Sequence, residues 1–385
     1  MTLALIERLT DIVVLGEILM PLFNPPIWIA DEAIELPKEF QPLEPCGQGA
    51  YGFVFTAEVH SPNGTAKVAI KKMGNVLGKE TTARRFLREL IILRHMSHDN
   101  ILHLIEVIMP TSKRSKDIYV VYEMMDCDLG SVLKSKQRLS PGQKALIFYQ
   151  LMRGLKYMHS VGVMHRDIKP RNLLVNANCD LKICDLGLAR LEVGEANMTD
   201  YACTRWYRAP EMVYHKPNYD KKVDIFSAAC VFCELISLKP LLPGSNSDEQ
   251  LELILRRLGR VADEDILDVP PGYYKTLVTG LNHSLSAEGD LRKHLFGDRV
   301  PGNGNAINLI RRMLHFNQNK RPNAVDILRD PLFGELRMEE DEPACESDTL
   351  FLDWDAGEHL SGIAQIRAAI YQEGARIRSI RKNYN

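Results

Sequence analysis

The sequence predicts an α+β chain of two unequal lobes, a small one rich in strands followed by a larger one that is mostly helical. Three observations carry this. At 385 residues the chain exceeds the roughly 250–300 over which a single hydrophobic core usually grows. From Phe40 to about Met125 the apolar residues come in short runs broken by turn residues, the mark of strands. From Ser140 to about residue 330 they recur at helical spacing, so the character changes near Met125.

The elements follow in order. "FVFTAEV", the turn cluster Ser61-Pro62-Asn63-Gly64 and "KVAIKKM" read as a hairpin. "TTARRFLRELIILRHM" places Phe86, Leu90, Leu93 and Met96 on one helical face, and "DIYVVYEMM" is a further strand. "SPGQKALIFYQLMRGLKYMHSVG" opens with Ser140 as N-cap and Pro141 at the first helical position, and stops at Gly162. Past an acidic run near 335–348, Ile363, Ile366, Ile370, Ile377 and Ile380 form the apolar stripe of a docking helix. The expected organisation is an N-terminal extension over 1–36, a strand-rich lobe over 37–125, a helical lobe over 126–333, and a C-terminal extension over 334–385.

Composition excludes several classes. The chain is 45% hydrophobic and 25% charged, as ordinary globular proteins are. A net charge of −2 gives no electrostatic case for nucleic acid. The eight cysteines lack framework spacing and read as reduced thiols. Cys230 and Cys233 have CxxC spacing, but "DIFSAACVFCELI" is an apolar helical run, so a core helix is expected rather than a metal or redox site. Glu7, Arg8, Asp11 and Glu17 interrupt the apolar start before it reaches the ~18 residues that span a bilayer. No basic residue precedes the apolar stretch, as a signal peptide would require, so an amphipathic segment packed on the body is expected and no membrane partner.

"GQGAYGFV" supplies Gly47, Gly49 and Gly52. GxGxxG alone is weak, but a strand and hairpin follow it where a dinucleotide fingerprint would have a helix, which favours a glycine-rich cover over phosphates. "VAIK" puts Lys71 on the next strand, where it can reach phosphates as a point charge, and Glu89 in the predicted helix can hold it by an ion pair. "HRDIKPRN" gives His165, Arg166, Asp167, Lys169 and Asn172 straight after the long helix, and "CDLGLAR" gives Asp185. Asp167 can accept a proton from an attacking hydroxyl, while Asn172 and Asp185 are oxygen ligands for Mg²⁺. Phosphoryl transfer needs these parts: metal ligands, a positioned base and a cationic clamp.

In this order the motifs resemble the protein kinase signature set, and "TDY", "TRWYRAPE" and "EEDEP" narrow the likeness to the mitogen-activated protein kinases. The resemblance covers about 40–345. It implies the bilobal kinase fold, ATP and Mg²⁺ as cofactors, and transfer to Ser or Thr followed by proline in protein substrates. It implies that Val54 and Ala69 enclose the adenine, with Tyr122 as gatekeeper and Glu123 and Met125 offering hinge backbone groups. Lys169 joins Asp167, Lys71 and Glu89 in the catalytic set. Leu186 stands where the family has phenylalanine, Phe226 where it has tryptophan, and Ala228-Ala229 where a glycine is common.

The same resemblance explains "NMTDYACTRWYRAPE", where Thr199 and Tyr201 sit beside fixed positive charge. A phosphate adds about −1.5 to −2 charges and three acceptor oxygens to each hydroxyl. Arg205 and Arg208 are then expected to receive phosphotyrosine 201, and Arg85, Arg88, Arg166 and Arg190 phosphothreonine 199. An upstream dual-specificity kinase is implied as activator. Asp341 and Glu342, at the end of the acidic run, are expected to dock basic segments of partners, phosphatases among them. A monomer is expected, cytoplasmic, with nuclear entry left open. A docking pseudokinase remains the alternative from another class; the presence of Lys71, Asp167, Asn172 and Asp185 speaks against it. A cyclin-dependent kinase is disfavoured, because that group lacks the paired tyrosine.

Overall fold

The computed structural model describes residues 27–49, 52–61, 64–109, 117–135, 137–191, 204–297, 304–347, 350 and 359–384. They form two units. The smaller takes the described residues up to 97, then 102–125 and those from 347 on; the larger takes 98–101 and 126–346.

In the smaller unit β1 (Ile27–Ile29) and β2 (Glu32–Ile34) form a hairpin. Its turn residues Ala30 and Asp31 both take positive φ, 46° and 67°, which matches the right-handed twist of paired strands. Next come β3 (Phe40–Gly49), β4 (Gly52–Ser61) and β5 (Gly64–Met73). With β6 (Leu104–Ile108) and β7 (Ile118–Glu123) they make one antiparallel sheet in the order β3-β4-β5-β7-β6. Ser61 pairs with Gly64, so the hairpin read from the sequence is present with its turn at the expected place.

Alternation along the strands separates two faces. Phe53, Phe55, Ala57, Val59, Val68, Ile70, Tyr119 and Val121 pack with Ile29, Ile34 and Leu36, so the β1–β2 hairpin covers this face. Lys72 also lies on it, nearly buried. Its ammonium meets Glu32 at 2.7 Å, Asp117 at 3.2 Å and the Ala33 carbonyl at 2.9 Å. Burial pulls the lysine pKa down, but the two carboxylates outweigh it and the net shift is upward. The opposite face carries the cross-strand rows Val54–Lys71–Val120 and Thr56–Ala69–Tyr122.

Helix α1 (Glu80–His95) buries Phe86, Leu90 and Leu93, with Met96 buried just past its end, as the periodicity predicts. The tail helix (Ile363–Tyr384) packs on α1 and β6 through Ile366, Ile370 and Ile377. Arg94 and Glu373 join these helices at 2.7 Å, both largely buried, and Arg378 meets Glu106 at 3.0 Å. The docking-helix expectation holds.

The larger unit contains β8 (Cys127–Asp128), α2 (Leu129–Lys134) and α3 (Pro141–Ser160). Ser140 and Gln143 close a reciprocal capping box at the start of α3, and Gly162, at φ 70°, follows its end. Then come β9 (Val163–Met164), β10 (Leu173–Val175), β11 (Leu181–Ile183) and β12 (Arg190–Leu191), paired as β11-β10-β8 and β12-β9. Beyond these lie α4 (Pro210–Val213), α5 (Lys222–Ser237) and further helices through Ala324–Leu328.

α5 is the centre of this core. Cys230 and Cys233 are both fully buried in it and burial pushes their thiols up, so the pair is core, not ligand. Phe232 stacks flat on Phe148 of α3 at 4.1 Å. Phe226 lies under the Arg321 guanidinium at 5.1 Å, and Arg321 and Glu211 form a wholly buried pair with Nη2–Oε2 at 2.8 Å. Phenylalanine therefore fills this position with an aromatic face toward the cation.

Candidate active site

The expected residues fall into a set on the smaller unit and a set on the larger. In the first, the sheet runs up to Gly49 paired with Gly52. A Cβ on Gly52 would stand 2.2 Å from the Lys72 carbonyl oxygen, so only glycine fits where the start of β4 passes this close to β5. Lys71 lies between Val54 and Val120, and Ala69 between Thr56 and Tyr122. Val54 and Ala69, which the kinase resemblance implies, thus share one face of the sheet with Lys71 of the VAIK motif. Glu123 ends β7, where its carboxylate accepts the His103 N–H at 2.7 Å, and Met125 is buried just beyond. Glu89 is buried in α1, while Arg85 and Arg88, three apart and on one face, are half-exposed.

The second set is built around Asp167. Its Oδ2 accepts from Lys169 Nζ at 2.6 Å and from Asn172 Nδ2 at 3.0 Å, and its carbonyl accepts from the same Asn172 amide at 2.8 Å. The Asp167 N–H donates to His165 Nδ1 at 3.1 Å. The ring proton is therefore on Nε2, which donates to the Cys184 carbonyl at 3.0 Å. This imidazole ties the Asp167 loop to the residue before Asp185.

A further acid holds that loop, and the motifs did not single it out. Asp224 of α5, fully buried, accepts the His165 N–H and the Arg166 N–H at 2.8 Å each and meets His159 Nε2 at 2.9 Å. Burial pushes its carboxyl up, but the His159 hydrogen bond and the neighbouring imidazoles and N–H groups pull harder, and the net shift is downward. Arg166 is held at φ 69° and Asp185 at φ 64°, left-handed conformations that side chains other than glycine rarely take. The one sequence signal was an acid inside the apolar run of α5.

The chemistry of the metal donors fits a hard cation. With its amide nitrogen committed to Asp167, Asn172 has no hydrogen bond on its side-chain oxygen among the described residues, and among them none is made by the Asp185 carboxylate.

Among the arginines expected around the switch, Arg190 lies on β12 beside Met164 and Arg205 donates to the Ser245 carbonyl at 2.8 Å. Arg208 follows at the end of the short turn Arg205–Tyr207. Thr199 and Tyr201 lie outside the described residues. The docking expectation needs one correction. Glu342 does not face outward: its side chain is buried, accepting from Tyr149 and Arg337 at 3.2 Å each and pairing with Lys156 at 3.4 Å. Tyr149, Arg153 and Lys156 line one face of α3 and draw the segment down, with Arg153 holding the Asp341 carbonyl at 2.6 Å. Glu339 and Glu340 are exposed and Asp341 half-exposed.

The family model described as "Protein kinase domain" matches residues 40–333. Among similar proteins, mitogen-activated protein kinase homolog NTF3 of Nicotiana tabacum is 43% identical over 304 residues, covering 78% of this chain and 80% of that one. Mitogen-activated protein kinase 4 of Oryza sativa subsp. japonica is 41% identical over 345 residues, covering 88% and 89%. Mitogen-activated protein kinase 7 of Arabidopsis thaliana is 42% identical over 304 residues, covering 78% and 80%.

Proposed function

The chain belongs to the protein kinase family, among the mitogen-activated protein kinases, and is a serine/threonine protein kinase; on that premise we propose that it transfers the ATP γ-phosphoryl group to Ser or Thr followed by proline, and that phosphorylation of Thr199 and Tyr201 switches it on. The observation that carries the reaction is the cradle around Asp167. A carboxylate held by Lys169 and Asn172, in a loop fastened through His165 and Asp224, is a fixed acceptor for a proton.

The substrate hydroxyl oxygen forms a bond to the γ-phosphorus, the bond to the bridging oxygen of ADP breaks, and the hydroxyl proton passes to Asp167. Lys169, 2.6 Å from Asp167, brings positive charge beside the phosphoryl oxygens as the group is transferred. Lys71, steadied by Glu89, clamps the phosphates, and Gly47, Gly49 and Gly52 let the backbone approach them. Val54 and Ala69 take the adenine, with hinge groups of Glu123 and Met125. Asn172 and Asp185 would hold Mg²⁺, whose bound charge neutralises the phosphates.

In the switch, Arg205 and Arg208 receive phosphotyrosine 201. Arg166 and Arg190 receive phosphothreonine 199, with Arg85 and Arg88 as further cations for it. Basic segments of an activating kinase, of substrates and of phosphatases dock on Asp341 with Glu339 and Glu340, Glu342 serving to anchor that segment to α3.

Asp167→Asn keeps the shape and removes the base. Turnover on a Ser-Pro peptide should fall at least about 100-fold while ATP binding by calorimetry is unchanged. Near-normal turnover in this variant would remove Asp167 from the proposed role.

A further inference from the structure

Lys72 stands next to Lys71 on β5 and points to the opposite face of the sheet. It is only 8% exposed. Its ammonium has three hydrogens and meets three acceptors: Glu32 at 2.7 Å, the Ala33 carbonyl at 2.9 Å and Asp117 at 3.2 Å. Glu32 and Ala33 belong to β2, which precedes the residues 40–333 that match the kinase domain. The neighbours of Lys72 across the sheet, Phe53 and Tyr119, are tied to the same segment. Phe53 packs with Ile29, Ile34 and Leu36, and the Tyr119 hydroxyl accepts the Glu35 N–H at 3.0 Å.

Burying a charge is costly unless it is fully paired. The face around Lys72 is apolar, so a methionine would fill the position without that cost. What the ammonium adds to packing is direction: three bonds fix Nζ, and with it the end of β5. Lys71 shares in this because a planar peptide joins the two residues, so the backbone cannot shift at one and stay at the other. The same end of β5 lies at the glycine-rich turn, where the Lys72 carbonyl oxygen would stand 2.2 Å from a Cβ on Gly52. Asp117 extends the tie, since its Oδ1 accepts the Asn75 N–H at 3.3 Å in the turn that leads from β5 toward α1.

We propose that Lys72 and Glu32 are positioning residues for phosphoryl transfer: their ion pair on one face of the sheet fixes the end of β5 so that Lys71 reaches the ATP phosphates from the other. The inference rests on reading Lys71 as the phosphate clamp. It gives the β1–β2 hairpin, which lies outside the kinase motifs, a share in placing the nucleotide.

The test uses the full chain and two variants, Glu32→Gln, which keeps the shape and removes the charge, and Lys72→Met. Lys71→Met is the reference. Ile29→Ala, which removes packing from the same hairpin and leaves the ion pair, is the control. Each protein is treated with an activating kinase and measured for melting temperature, adenosine affinity by calorimetry, and initial rate on a Ser-Pro peptide. Glu32→Gln and Lys72→Met should lower kcat/KM for ATP about tenfold, the scale of a small displacement of a positioned group. Adenosine affinity and KM for the peptide should stay as in wild type, because only the phosphate contact is disturbed. Ile29→Ala should melt at least as low and keep its kcat/KM for ATP. Lys71→Met/Glu32→Gln should be no slower than Lys71→Met alone, because Glu32 acts through Lys71. An unchanged kcat/KM for ATP in Glu32→Gln and Lys72→Met, an equal loss in Ile29→Ala, a matching loss of adenosine affinity, or losses that add in the double variant would each overturn the positioning role. Wild-type kcat/KM for ATP in Lys71→Met would instead overturn the clamp reading on which it rests.

Discussion

Asp224 is wholly buried, yet its carboxyl is held below the ordinary carboxylate range because three donors converge on it. A depressed carboxyl contributes stability above its unfolded pKa and loses it as pH falls through the lower folded value. The contribution is therefore complete at neutral pH and disappears on the acid side, below about 4. Asp224→Ala should lower unfolding free energy at pH 7 by about 3–5 kcal/mol, the scale of breaking a buried pair, and should flatten the acid limb of a stability profile measured by denaturant titration. An unchanged acid limb would contradict this. Asp167, Lys169 and Asn172 were legible in the sequence because their spacing is fixed by one loop. Asp224 was not, because its partners lie far upstream and only the fold unites them. Glu342 was misread for a related reason. In a run of consecutive acids nothing in the sequence marks which side chain turns inward; that depends on the Tyr149, Arg153 and Lys156 face of α3.

Gly154 and Gly374 both stand in helix interiors, and their surroundings give opposite expectations. In the tail helix, a Cβ on Gly374 would meet Met109 and Val107 at 3.7 Å, an ordinary contact. Gly374→Ala should raise stability by about 0.5–1 kcal/mol through helix propensity and the unfolded chain. In α3, a Cβ on Gly154 would come within 2.7 Å of Ile183 Cδ1 and 3.0 Å of the Asn100 carbonyl. Gly154→Ala should cost about 1–3 kcal/mol despite the same gain in propensity. Urea titrations of the two variants check the signs, and matching signs would contradict the packing described. Long elements were readable: α3 from its cap and terminator, α1 and the tail helix from their stripes. The β1–β2 hairpin was not, because strands of three residues are too short to show alternation. Its place on the sheet is set by Ile29, Ile34 and the Lys72–Glu32 bond, which no local pattern announces.

At the scale of the molecule, composition and the change from strand to helical patterning foretold the α+β class, and ordered motifs foretold the kinase family. In the proposed mechanism two sets of residues prepare phosphoryl transfer, and arginines outside the catalytic set receive the loop phosphates. Arg166 is held in a rare backbone conformation, at φ 69°. On the proposal that phosphates on Thr199 and Tyr201 bring negative charge to these arginines, activity should depend on phosphate rather than on ATP binding alone. The most direct measurement is the initial rate of transfer from ATP·Mg²⁺ to a Ser-Pro peptide before and after an activating kinase has modified Thr199 and Tyr201, with both sites verified by mass. The account expects a rise of at least about 100-fold, the scale at which assembling a positioned base and clamp matters. Full activity in protein carrying neither phosphate would contradict it.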